Sequence, residues 1–316
     1  MKRLCLNLLF FFLLFTLLLF FVGKFDNIDK LSSDNHNIQK IQLESKFDSL
    51  DILFIGNSYC YSGINPAYFD SVGIKSYNLG IATAGPKFYP LLVADYLTTV
   101  KQAPKSIFIL ISPMIFSSKA DDIINYPIHR YLNQPVSNEE YIFFNDLNSV
   151  KNYPKILIKS FTKSLVNLFS VLKKAKPEGN TAMAASKGFV ASADKYSLKN
   201  ELKNKHLYAS LPNDRLDSEK TKELLDLASG LEQKKIKVVF YELPSNKLYA
   251  YFSLNYITDY NNFKNQLKGK YLVISDNEKL DETYFRDMDH LNTAGAAVSS
   301  KYIIEQIKLN PGLLKQ

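Results

Sequence analysis

The sequence predicts an α/β domain with a parallel central sheet covered by helices on both faces, which is a three-layer α/β/α sandwich. Short apolar runs alternate with helix-like segments along the 316-residue chain, and strands separated by helices pair in parallel. The first run, Ile52 to Ile55, is unbroken, as in strands buried on both faces. The predicted strands are 51–55, 74–80, 105–112, 236–243 and 271–275, and the predicted helices are 86–101, 215–235, 257–268 and 293–308.

Residues 1–24 are predicted to form a transmembrane anchor. Lys2 and Arg3 precede an apolar run over 4–22 that only Asn7 and Thr16 interrupt. At ~1.5 Å per residue, such a run crosses a hydrocarbon core of ~30 Å. No small-residue cleavage site follows, so we expect an uncleaved single-pass anchor, with a cleaved signal peptide as the alternative. The basic end predicts that the rest of the chain is extracytoplasmic, in the periplasm or at the cell surface.

Composition and the alternation of predicted strands and helices divide the remaining chain into three parts. Residues 25–49 are polar and predict a stalk or linker. Residues 50–112 and 213–316 carry the strand–helix alternation and predict the α/β/α domain. The segment 113–212 interrupts that alternation and predicts a helical insertion, either a lid or binding lobe or a spacer. Ligands of open α/β sheets collect outside the carboxyl ends of the strands, and long loop-rich insertions are usually functional.

Composition argues against several classes of protein. The net charge of +8 is spread along the chain without a basic-aromatic stripe, so we expect no nucleic acid partner. Cys5 would lie in the membrane and Cys60 outside it, which argues against a disulfide scaffold. No cluster of His, Cys and Asp has metal-ligand spacing, and we expect neither a metal nor an organic cofactor.

Two short motifs are candidates for chemistry. Ser58 follows the first strand and Gly56, and a serine hydroxyl becomes a nucleophile only when an oriented base takes its proton. Of the four histidines, His290 lies just before the last helix. Asp287 stands three residues earlier and can curl back to the imidazole in a turn, so it is assigned as orienter. The adjacent Asp289 is expected to point elsewhere and is the fallback.

Each motif has a structural alternative. Ser58 is also a suitable helix cap after a strand, and Cys60 a small buried apolar residue. The acidic residues before His290 also suit the N-terminal region of a helix, with the histidine exposed.

The two motifs together are more specific. Gly56-Asn57-Ser58 after the first strand and Asp287-x-x-His290 before the last helix resemble the SGNH (GDSL-type) hydrolase superfamily over residues 50–308. The resemblance implies a flavodoxin-like sandwich and a triad in which Ser58 is the nucleophile, His290 the base and Asp287 the orienter.

The same resemblance implies an oxyanion hole made of backbone N–H groups. Ser58 is one expected donor, and Gly80 or Thr83, after Asn78, is the other. The family's third motif, G-x-N-D, is absent, because the matching stretch reads ISPMIF over 111–116. Loss of one oxyanion donor costs ~10²–10³ in rate.

The stretch that stands in place of G-x-N-D resembles the corresponding stretch of a membrane-anchored branch of the superfamily. ISPMIF is similar to an S-P-Q-W-F stretch of the branch that transfers D-alanyl groups to teichoic acid, and LPSNKLYAYF over 243–252 to its P-x-N segment. Related proteins act beside membrane-bound O-acyltransferases on alginate. The resemblance implies an acyltransferase or esterase acting on O-acyl groups of an envelope polysaccharide. An esterase or lipase that releases acyl groups to water and a non-catalytic assembly or binding protein are the alternatives.

Overall fold

The computed structural model describes most of the predicted α/β domain. The described residues are 36–117, 132, 179–196, 215–245, 251–275 and 280–315. Among them, no helix combines the length and the apolar character needed to span a bilayer. The predicted anchor over 1–24 and most of the predicted insertion lie outside the described residues.

A parallel sheet forms the centre of the domain, as predicted. Its five strands lie in the order β2-β1-β3-β4-β5, which is the flavodoxin-like order of doubly wound sheets. Every residue of β1, β2 and β3 is buried, so both faces are covered and the apolar runs need no alternation. The strands are β1 Ile52–Gly56, β2 Ser76–Gly80, β3 Ser106–Leu110, β4 Lys237–Glu242 and β5 Leu272–Ser275.

Helices connect the strands and cover the sheet. Among the described residues they are α1 His36–Leu43, α2 Ser58–Gly63, α3 Pro66–Asp70, α4 Tyr89–Thr99, α5 Gly179–Ala185, α6 Ser218–Gln233, α7 Leu254–Lys268 and α8 Thr293–Leu309. Short 3₁₀ turns cover Glu44–Lys46, Pro113–Phe116, Glu282–Tyr284 and Pro311–Leu314. Because β1 and β3 are neighbours whose connections leave in opposite directions, the crevice at their carboxyl ends is where this fold binds ligands.

Helix α1 lies within the predicted stalk over 25–49, and it shows that this part of the prediction is wrong. Its side chains Ile38 and Ile41 are buried, and they are spaced three residues apart, so they share one face of the helix. The backbone C=O of Lys40 accepts a hydrogen bond from Tyr77 Oη of β2 at 2.7 Å. Residues 36–46 therefore belong to the folded domain, because their apolar face packs on it despite their polar average composition.

The described part of the predicted insertion, 179–196, docks on the elements that carry the site. Helix α5 packs against α1, and Lys187 C=O accepts from the Asn78 N–H at 3.0 Å. Gly188 has a φ of +84°, and a Cβ there would lie 2.0 Å from Asn78 O. Val190 N–H donates to Tyr61 O of α2 at 3.0 Å. Whether the insertion acts as a lid or binding lobe stays a prediction.

Candidate active site

Ser58 lies at the turn between β1 and α2. Asn57 caps α2, because its Oδ1 accepts from the Tyr59 N–H at 3.0 Å. A Cβ on Gly56 would lie 2.6 Å from Cys60 Cβ and 2.7 Å from Leu110 Cβ. The glycine therefore lets α2 fold back tightly over the end of the sheet, with Ser58 as its first residue and only partly buried.

Cys60, the other nucleophilic side chain of this turn, faces the interior. It is fully buried, and its Sγ donates to Asn78 Oδ1 at 3.3 Å. Burial raises the pKa of the Cys60 thiol to about 12, because a thiolate is poorly stabilised away from water. Cys60 therefore stays a protonated packing residue, and Ser58 is the candidate nucleophile.

His290 reaches Ser58 from the turn before α8. The turn is closed by the Arg286 N–H donating to His290 O at 3.0 Å. Asn292 caps α8, since its Oδ1 accepts from the N–H groups of residues 294 and 295. The His290 Nε2 atom lies 2.7 Å from Ser58 Oγ, which is hydrogen-bond distance for a base and the hydroxyl it serves.

Asp287 contacts the opposite nitrogen of the ring. Its Oδ1 and Oδ2 lie 2.9 and 3.1 Å from His290 Nδ1. The same Oδ1 accepts from the N–H groups of Asp289 at 3.1 Å and His290 at 2.8 Å, so the carboxylate is locked to the turn. Burial opposes ionisation, but the hydrogen bond from His290 and its charge outweigh burial and lower the Asp287 pKa. An ionised Asp287 keeps a proton on Nδ1 and leaves Nε2 to accept from Ser58.

Asp289 also reaches His290, so the expectation that its side chain points elsewhere is wrong. Its Oδ1 lies 2.7 Å from His290 Nδ1, and its Oδ2 accepts from Tyr59 Oη at 2.6 Å. The Tyr59 and His290 rings lie edge to face, with centroids 4.8 Å apart. Tyr59 turns the buried Asp289 toward the imidazole, and sequence spacing carries no signal for this contact because the tyrosine lies on another element.

Two carboxylates beside one imidazole change its basicity. Burial alone would lower the His290 pKa, but the charge of Asp289 and the hydrogen bond to Asp287 outweigh it and raise the pKa to about 9. The protonated ring is thereby stabilised, as is required after a base has accepted a proton. The ring can therefore accept a proton from Ser58 only in its neutral form, whose share increases as the pH rises toward that pKa.

The predicted oxyanion donors differ in availability. The Gly80 N–H donates to Asn78 Oδ1 at 3.0 Å, so the prediction that Gly80 serves as a donor is corrected. Thr83 lies in a turn closed by Ala84 N–H donating to Ile81 O at 3.0 Å, and its φ is +65°. Among the hydrogen bonds of the described residues, none uses the N–H of Ser58 or Thr83, and both remain candidates.

The segment after β3 provides no side-chain amide. Pro113–Phe116 forms a 3₁₀ turn, held by Tyr256 Oη donating to Pro113 O at 2.6 Å. The buried Ser112 lines a small cavity together with Tyr59 and Asp289. Within the described residues directly after β3, 111–117, there is thus no asparagine of the kind that the G-x-N-D motif supplies.

Asp287, Asp289 and His290 also have a geometry that suits a cation. One ligand atom from each lies within 4.8 Å of the others. A cation bound through Nδ1 would displace the proton that Asp287 accepts, and Nε2 already contacts Ser58. These atoms therefore serve either a metal or the serine–histidine pair, and their hydrogen bonds fit the pair.

No family model and no curated protein matches the chain. Among solved structures, it is similar to a candidate acylhydrolase from Bacteroides fragilis NCTC 9343, with a TM-score of 0.42, 12% identity, and coverage of 86% of this chain and 95% of that one. It is also similar to a GDSL-like lipase from Bacteroides thetaiotaomicron VPI-5482, with a TM-score of 0.42, 11% identity, and coverage of 88% and 100%. TM-scores below 0.5 do not establish a common fold, so the functional conclusion rests on the geometry of the site.

Proposed function

We propose that this protein is an SGNH-type serine acyltransferase or esterase. One observation carries the proposal: Asp287, His290 and Ser58 form a continuous hydrogen-bonded series, with contacts of 2.9 and 2.7 Å on the two ring nitrogens. The series lies at the carboxyl edge of a parallel sheet, where α/β proteins bind their ligands. A serine so connected to an oriented imidazole is equipped for acyl transfer.

In the first step, Ser58 Oγ attacks the carbonyl carbon of an acyl ester while His290 Nε2 takes the hydroxyl proton. The N–H groups of Ser58 and Thr83 donate to the oxyanion of the tetrahedral intermediate. The ester C–O bond then breaks, the leaving alcohol takes the proton from Nε2, and the acyl group remains on Ser58.

The second step reverses the first with a new hydroxyl. An acceptor alcohol or water attacks the acyl-enzyme while His290 takes its proton, and the Ser58 oxygen leaves and recovers that proton. Asp287 keeps Nδ1 protonated throughout and stabilises the imidazolium. The chemistry is the same for transfer and for hydrolysis, and the acceptor decides between them.

We further propose that the substrate is an O-acylated envelope polysaccharide. The apolar run over 4–22 supports a single-pass membrane protein with its domain in the periplasm or at the cell surface. The likeness of 111–116 to the membrane-anchored SGNH branch supports an acyl donor delivered by a membrane-bound O-acyltransferase partner.

The test is whether the full-length protein forms an acyl-enzyme. The purified protein in detergent is incubated with an aryl acetate, and mass spectrometry locates the adduct. We expect an acetyl group on Ser58, a burst of aryl alcohol, and loss of both in Ser58→Ala. Ser71→Ala is the matched control, because Ser71 Oγ is exposed and bonds only locally to Tyr68 O at 2.6 Å.

The same preparation separates the alternatives. Transfer of labelled acetyl groups to or from an acetylated glycan, faster than release to water, supports the transferase. Release to water alone identifies an esterase. Absence of an adduct together with no labelling of Ser58 by a fluorophosphonate would contradict an enzymatic role and favour a non-catalytic assembly protein.

A further inference from the structure

Helix α1 makes two hydrogen bonds to the segment that carries Thr83. Lys40 Nζ donates to Gly80 O at 2.6 Å, and Asn37 Oδ1 accepts from the Ala82 N–H at 3.0 Å. Both contacts join residues some forty positions apart in the chain. A helix that sequence composition assigns to a stalk is thus bonded directly to the loop beside the candidate nucleophile.

That loop requires support from outside itself. Thr83 adopts a φ of +65°, which a residue with a Cβ adopts rarely and only when surrounding structure holds it there. Within the loop, Ile81 N–H donates to Gly56 O at 2.9 Å and Ala84 N–H to Ile81 O at 3.0 Å. The Asn37 contact holds the N–H of the peptide between Ile81 and Ala82. The next peptide carries the Thr83 N–H, so the contact restrains the chain immediately before that donor.

Burial of the Lys40 amine costs free energy that an apolar side chain in the same place would not cost. Its side chain is fully buried, and Nζ lies 5.0 Å from the centroid of the Tyr61 ring. Burial lowers the pKa of the Lys40 amine to about 7, since the charged form is poorly solvated there. An apolar side chain would fill the space without that cost, so the bond to Gly80 O is the specific contribution of a lysine.

We infer that α1 is a positioning element for the oxyanion hole, in which Asn37 and Lys40 hold Gly80–Thr83 so that the Thr83 N–H faces the developing oxyanion. The inference rests on the proposed acyl transfer and goes beyond it, because it assigns a role to residues outside the triad. It also joins the membrane-proximal part of the chain to the rate of the chemical step.

The experiment compares two substitutions at Asn37 in the full-length protein. Asn37→Leu removes the acceptor for the Ala82 N–H, whereas Asn37→Asp keeps an oxygen at that place. We expect Asn37→Leu to lower kcat roughly tenfold to a hundredfold, below the ~10²–10³ of a lost donor, with KM and Tm little changed. Asn37→Asp should recover most of kcat, which a merely structural role would not require.

A variant at a second position and a control variant ensure that the test does not depend on whether one Asn37 variant folds. Lys40→Met preserves the side-chain length and removes the donor to Gly80 O, and we expect kcat to fall while Tm does not. Ser253→Ala is the control, because it removes a 3.2 Å contact to the Tyr256 N–H on α7, which packs against the far edge strand β5.

The outcomes separate this inference from the proposed function. A parent protein without Ser58-dependent acylation overturns both. An active parent in which Asn37→Leu and Lys40→Met retain full kcat overturns the inference alone. A loss of kcat that Asn37→Asp fails to recover, or that is matched by Ser253→Ala, also overturns it.

Discussion

Replacing Asp289 by asparagine should move the pH dependence of acyl transfer toward acid. Asp289 Oδ1 lies 2.7 Å from His290 Nδ1, and its negative charge is the largest contribution that raises the His290 pKa. Asparagine keeps the shape of the side chain and an oxygen for the Tyr59 hydroxyl, but it removes the charge. His290 should therefore become neutral, and able to accept a proton from Ser58, at lower pH.

The size of the expected change in activity follows from the pKa shift of His290. The His290 pKa is raised from 6.5 to about 9, which corresponds to about 3 kcal/mol in favour of the imidazolium. If the two carboxylates share that effect, Asp289→Asn lowers the pKa by about one unit. The neutral fraction of His290 at pH 7, and with it kcat/KM, should then rise about tenfold.

The assay is a profile of kcat/KM for an aryl acetate between pH 5 and 10, since its acid limb reports the base of the free enzyme. Asp287→Asn is the comparison. That substitution removes the carboxylate that is anchored to the turn by two N–H groups, and it favours the wrong tautomer, so the alkaline plateau should fall by up to ~10⁴.

Two results would refute this reasoning. An acid limb that stays in place in Asp289→Asn would mean that its charge does not act on Nδ1. A loss of activity at every pH in Asp289→Asn, with a mild effect of Asp287→Asn, would make Asp289 the orienting residue.

Further predictions concern stability and topology. Gly188→Ala should destabilise the fold by about 2 kcal/mol or more, because its Cβ would meet Asn78 O at a φ of +84°. Gly230→Ala should stabilise it by about 0.5–1 kcal/mol, because nothing lies within 4 Å of a Cβ on that helical residue; urea unfolding measures both. The raised pKa of His290 stabilises the fold fully below about pH 6.5, and this contribution is lost as the pH rises through about 9. The difference in thermal stability between the parent and His290→Gln, followed from pH 6 to 10, should show that loss; the comparison separates it from Lys40, whose lowered pKa acts in the opposite direction over the same range. A reporter fused after Gln316 should be active only outside the cytoplasm, and cytoplasmic activity would contradict the anchor.

The sequence by itself determined the sheet and the meeting of the two motifs. Apolar runs such as 52–55 favour strands buried between two helical layers, and their alternation with helices favours parallel pairing. Once the strands are parallel, their carboxyl ends share one edge, so a serine after β1 can meet a histidine on the turn before α8. Local spacing also accounts for the contact between Asp287 and His290, because a carboxylate three residues earlier reaches the ring within the same turn.

Only the tertiary structure decided contacts between elements that are distant in sequence. The direction of Asp289 depends on a hydroxyl of Tyr59 that lies 230 positions earlier, and the engagement of the Gly80 N–H depends on the side chain of Asn78. The composition of helix α1 is that of a polar linker. Its place in the domain depends on the elements that cover its buried face and on the carbonyl that accepts from Lys40. Composition and periodicity describe the chain one segment at a time, whereas these hydrogen bonds exist only after the sheet has brought separate segments together.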